Sequence, residues 1–193
     1  MSLAAVIPMN LPSMHETAAA FLVNGANRFC SCTECANLNA IRWANPAQSL
    51  STAELIRLYH TGAHEPNGGR TTDQMLAAVV ARYHHTPARP ASIDAALELL
   101  RAGYVLAVAG DYGKLGTSMV HPNEAFARGP DPWHCVTFGP IRAGDVTTNP
   151  IGLWRDPLMR GASYHGRLVN WFTVLTFAFG PADMLAYPQD GWV

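Results

Sequence analysis

A thiol, an imidazole and a carboxylate occur in this chain in an order suited to acyl transfer. The thiol is Cys32, within Asn27-Arg28-Phe29-Cys30-Ser31-Cys32-Thr33-Glu34-Cys35-Ala36. Ser31 and Glu34 have the S-x-x-E spacing of a capping box, which predicts Ser31 as the N-cap and Cys32 as the first helical residue. At such a position the helix dipole and unpaired backbone N–H groups favour a thiolate, the nucleophilic form of cysteine. The imidazole is His134, in the strand-like run Trp133-His134-Cys135-Val136-Thr137-Phe138. The carboxylate is Asp156, which follows Ile151-Gly152-Leu153-Trp154-Arg155 and precedes Pro157, where a strand gives way to a turn. A thiol hydrolase needs a nucleophile, a base that exchanges its proton, and a group that orients the base. On a strand His134, Val136 and Phe138 share one face, and Trp133, Cys135 and Thr137 share the other. His134 therefore serves as the base only if its face meets the helix start.

Other readings use the same residues. Cys30 is the nucleophile if the helix begins earlier, and Cys35, one turn further in, packs like a small apolar side chain. Cys30, Cys32, Cys35 and Cys135 are enough thiols for zinc or an iron–sulfur cluster. The spacing C-x-C-x-x-C without a second paired motif is a weak metal pattern, so no metal or organic cofactor is expected. Asp-Pro is a common turn pair, and a strand histidine often only packs. His15 and His64 show no partner pattern, and His84, His85, His121 and His165 read as loop residues.

The elements that must position these groups can be read from caps and periodicity. Ser13…Glu16 opens an Ala-rich segment that stops near Asn24-Gly25. Ser51…Glu54 opens a helix with Gly62 as its stop, and Thr71…Gln74 opens another through Arg82. Ser92 precedes a helical spacing over Ile93 to Arg101, closed by Gly103. Tyr104 to Ala109 is short, rich in apolar residues and bounded by glycines, so it reads as a strand. A Gly/Pro-rich connection from Gly110 to Pro132 leads to strands over 133–138 and 151–155. Gly166 to Phe179 reads as a helix more readily than as a strand pair. Helices first and an antiparallel sheet afterwards is an α+β layout. A single domain over 1–193 is expected, with 1–23 as an N-terminal extension or helix.

Composition narrows the partners. Apolar residues make up 49% and charged residues 14% of the 193, which describes a chain that folds around a core. A net charge of −1 without a basic run gives no electrostatic basis for binding nucleic acid or an anionic membrane. Met1 to Pro8 lacks the positive n-region of a secretory signal, and no apolar run reaches the roughly 20 residues that span a bilayer. Leu168 to Phe179 comes nearest, interrupted by Asn170 and Trp171. The expectation is a soluble protein, cytoplasmic or virion-associated, with no signal peptide.

Several segments together resemble the C39-like branch of the papain-like cysteine peptidases, of phage and bacterial type. They are Cys32 with its helix, Gly68-Gly69-Arg70-Thr71-Thr72, and Ala91-Ser92-Ile93 leading to Ala102-Gly103-Tyr104-Val105-Leu106-Ala107-Val108. Gly110-Asp111-Tyr112-Gly113, Trp133-His134-Cys135-Val136 and Trp154-Arg155-Asp156-Pro157-Leu158 continue the likeness, which spans roughly residues 24–175. The resemblance implies a papain-like fold with Cys32 as nucleophile, His134 as base and acid, and Asp156 as the orienting carboxylate. It also implies a side-chain amide that binds the oxyanion together with backbone N–H groups. No Gln lies just before the cysteine, so Asn27 takes that role, with Asn24 as the alternative. The usual Asp-Cys-Gly-Pro is replaced by Ser31-Cys32-Thr33-Glu34. The implied activity is cleavage of peptide or amide bonds through a thioester, in a peptidoglycan peptide or a protein. A catalytically silent structural or virion protein of the same fold is the other expectation; oligomeric state is left open.

Overall fold

The computed structural model describes residues 31–66, 69–111, 114, 133–139, 150–152, 154–155, 157, 169–170, 172, 175–176, 179–189 and 192. Among the described residues four helices come first: α1 (Cys32–Ala44), α2 (Thr52–Tyr59), α3 (Thr72–Tyr83) and α4 (Ile93–Arg101). Strands follow: β1 (Val105–Asp111), β2 (Trp133–Phe138), β3 (Ile151–Gly152), β4 (Trp154–Arg155), β5 (Val169–Asn170) and β6 (Phe179–Tyr187). The chain is α+β, as its cap and strand patterns predict. The segment 1–23 and its Ser13…Glu16 start lie outside the described residues.

Local chemistry explains where the helices begin and end. Thr71 and Gln74 form a reciprocal capping box at the start of α3, with Gln74 N–H donating to Thr71 Oγ1 and Thr71 N–H to Gln74 Oε1. Ser51 Oγ accepts from Glu54 N–H, and Ser92 Oγ from Ala95 N–H. Gly62 and Gly103, the anticipated stops, have φ of 85° and 90°, a region that disfavours any residue with a Cβ.

The main sheet is antiparallel, in the order β4-β2-β1-β6. β3 and β5 pair separately, so the strand expected over 151–155 is two short pieces in different sheets. The helix expected over 166–179 is corrected in part: Phe172, Leu175 and Thr176 are helical, but Val169–Asn170 is a strand and Phe179 opens β6. β6 adds to the expected strands, and its Gly180-Pro181 are residues that weaken a strand signal. The irregularity sits there too: β6 keeps register with β1 from Val105↔Tyr187 to Val108↔Met184, then shifts before Gly110↔Phe179.

The sheet has two covered faces. Val105, Ala107, Ala109, Cys135, Leu185 and Tyr187 pack with buried residues of α1, α2 and α3. Leu106, Val108, Val136, Phe138, Met184 and Ala186 alternate to the opposite face, with α4 and Leu175. The central layer contact is α1, ten of whose 13 residues are buried. Two side chains tie it to the sheet: Thr137 Oγ1 donates to Ala36 O at 2.8 Å, and the Tyr187 hydroxyl donates to Asn37 Oδ1. Burial, with lesser contributions from Cys135 and Tyr83, pushes the Tyr187 phenol well above its ordinary pKa.

A second polar node joins α2 to α3. Arg82 makes a two-pronged contact with Glu54 at 3.1 and 3.0 Å, Tyr83 donates its hydroxyl at 2.8 Å, and Arg57 adds a bond at 3.0 Å. Burial on its own would raise the Glu54 carboxyl, but hydrogen bonds from Arg82, Tyr83 and Arg57 outweigh it and hold the pKa below its ordinary value. A depressed carboxylate stabilises the fold above its unfolded pKa of about 4.3, and that stability is lost as pH falls through the folded value. Urea midpoints of the wild type and Glu54→Gln should therefore differ most at neutral pH and converge below about pH 4. A gap that persists unchanged down to pH 3 would show that the Glu54 charge is not what the node responds to.

Candidate active site

Cys32 is the first residue of α1, where the sequence places it, but the predicted cap is not what starts the helix. Ser31 has φ −109° and ψ 15° and makes no side-chain cap hydrogen bond. The first turn is closed by the Cys35 N–H bond to Ser31 O at 2.9 Å. Glu34, expected to reach back to the cap, lies fully buried against Arg70, with Nε 2.9 Å from Oε1. That contact is an ion pair whose N–H does not align as a hydrogen bond.

Arg70 has its own reason to be buried. Its Nη2 donates to the carbonyls of Tyr59 at 2.6 Å, Thr61 at 2.7 Å and, more weakly, Leu58 at 3.4 Å. These lie at the C-terminal end of α2, where carbonyls lack helical partners and the dipole is negative. Burial lowers the guanidinium's pKa from its ordinary value, while Glu34 and Tyr59 oppose the shift. His64 completes the cluster, with Nε2 3.5 Å from Glu34 Oε1 and its ring 4.2 Å from the Tyr59 ring. This group has no local signature in the sequence. Its available signal was a glutamate inside a helix otherwise composed almost wholly of apolar, small or amide side chains, which required a buried cation elsewhere.

The three described thiols differ in access. Cys32 is half-buried at the margin of the core, its Sγ 4.0 Å from Thr33 Oγ1. Cys35 and Cys135 are buried within one core cluster. Cys30 and the oxyanion candidates Asn27 and Asn24 lie outside the described residues. Among the described residues no group of three or more His, Cys, Asp or Glu side chains is placed to hold a metal ion.

His134 is the second residue of β2 and is buried. The strand runs in unbroken register with β1, and His134 stands opposite Gly110, which in turn pairs with Phe179. Cys135 and Thr137 face α1, whereas Val136 and Phe138 pack on the α4 side. By this alternation His134 belongs to the α4-side face, and Trp133, 53% exposed, has the parity that faces α1. The arrangement thus brings β2 against α1 through Cys135 and Thr137, and strand parity groups His134 with Val136 and Phe138. Asp156 lies outside the described residues; β4, which precedes it, pairs with β2 through Thr137↔Arg155 and Phe138↔Trp154.

No helix among the described residues is long and apolar enough to cross a membrane. Compared with known protein families, curated proteins and solved structures, the chain matches none.

Proposed function

We propose that this chain is a cysteine hydrolase of the papain-like, C39-like type, cleaving peptide or amide bonds through a thioester on Cys32. One observation carries the reading: Cys32 is a partly exposed thiol on the first residue of the helix that packs on the sheet, while the other described thiols are buried. Its backbone N–H groups lie at the positive helix end, where a developing oxyanion is stabilised. In this reading His134 is the base and acid, Asp156 orients it, and Asn27 assists the oxyanion. The substrate class is a peptide, with peptidoglycan stem peptides and phage or host proteins as the two candidates, and the setting is cytoplasmic or virion-associated.

The strand parity of His134 favours a second reading, a protein of the same architecture that does not turn over substrate. Chemical labelling separates them at the first step. Exposed to a small activated ester at neutral pH, the native protein should acquire one acyl group on Cys32, located by peptide mass spectrometry. Iodoacetamide should likewise modify Cys32 ahead of Cys35 and Cys135. Acylation of Cys30 instead would move the nucleophile and the helix start together. A protein that alkylates slowly at every thiol and never acylates supports the silent scaffold.

A further inference from the structure

We propose that the cavity at the C-terminal end of α1 binds a small carboxylate carrying a flat apolar body. The cavity measures about 660 Å³, within the range of small-molecule sites, and Arg42, Trp43, Gln48, Ser49, Leu50 and Gln189 line it. Six arginines have described side chains, and five of them are held in ion pairs: Arg57, Arg70, Arg82, Arg89 and Arg101. Arg42 is the sixth. Among the described residues it has no acidic partner, and none of the described lining residues is an Asp or Glu.

The remaining lining defines the ligand. Trp43 and Leu50 rest on the core from one side and give the cavity a fixed apolar wall. The Ser49 hydroxyl donates to Ser51 Oγ at 3.0 Å, so it offers the cavity an acceptor rather than a donor. Among the described lining residues, Arg42, the amides of Gln48 and Gln189 and the Trp43 indole N–H are then the side-chain donors, and only Arg42 is charged. A single guanidinium fork matches a single carboxylate in geometry and charge. A dianionic phosphate would leave one charge uncompensated. Arg42 in the last turn of α1 also complements the helix dipole, but that role requires neither the cavity nor the aromatic wall. Ten residues of helix, about 15 Å, separate Arg42 from Cys32, so this site is distinct from the proposed acylation site and does not depend on it.

The test uses the full chain with N-benzoylglycine, which joins a phenyl ring to a carboxylate, and its neutral amide, N-benzoylglycinamide. Saturation-transfer NMR and calorimetry should show the acid binding with at least about tenfold higher affinity than the amide, the scale of one charge-assisted hydrogen-bond pair. Arg42→Gln should abolish that preference. Equal binding of the two compounds to the wild-type protein overturns the proposal without recourse to any variant. So does the absence of binding at millimolar concentration, or an unchanged preference in folded Arg42→Gln.

Discussion

Arg70→Ala should destabilise the protein by about 4 kcal/mol, the scale expected when one partner of a buried ion pair is removed. The loss has two sources. Glu34, fully buried at the first turn of α1, would lose its guanidinium partner, and three carbonyls at the end of α2 would lose their donor. With a urea dependence of about 2 kcal/mol per molar for a chain of this size, the unfolding midpoint should fall by roughly 2 M. Arg89→Ala provides the contrast: its Asp73 partner is 78% exposed, and the change should cost no more than about 1 kcal/mol. Indistinguishable midpoints for the two variants would mean that the buried cluster contributes nothing special. Glu34→Gln should fall between them, because it removes the charge that Arg70 faces but leaves the carbonyl bonds in place.

The second large effect concerns the proposed chemistry. Cys32→Ala should lower hydrolysis of any cleaved peptide by at least about a thousandfold, since nucleophile and base act as a unit in such enzymes. For the same reason His134→Ala should be nearly as damaging, and the double variant little worse than either single one. Peptide nitroanilides and isolated stem peptides, assayed on the full chain, provide the readout. If His134 instead packs on the α4 side without touching the chemistry, its substitution should reduce the melting temperature and leave the rate of the folded protein intact. That outcome would assign proton transfer to another group and remove the strand histidine from the site.

Much of the scaffold was legible because its signals are local. The capping box of Thr71 and Gln74, the serine caps at Ser51 and Ser92 and the glycine stops at Gly62 and Gly103 involve residues within a turn of one another. The run 133–138 reads as a strand on its composition and is one, residue for residue. The failures are non-local. Glu34 satisfies a capping pattern by type and spacing, yet its partner is Arg70, a helix and two connections later. β6 carries Gly180-Pro181 near its start, a weak strand signal, and its place is set by pairing with β1. For the site, the helix position of Cys32 and the strand position of His134 could both be read. Which strand face meets α1 could not, because it is decided by contacts such as Thr137 to Ala36 across 101 positions.

β6 also governs when the fold can close. It occupies an edge of the main sheet, yet it lies beside β1, whose partner residues precede it by 69 to 82 positions, and its Tyr187 hydroxyl donates to Asn37 across 150. On a ribosome adding about 5–20 residues per second, roughly 4 to 16 seconds pass between synthesis of β1 and of β6. During that interval β1 presents an unpaired backbone edge, flanked by apolar side chains that are later buried on both faces. Such an edge invites pairing with a neighbouring nascent chain. Newly made protein should therefore depend on chaperone protection through this window, and release of a chain ending before residue 179 should leave an aggregation-prone fragment.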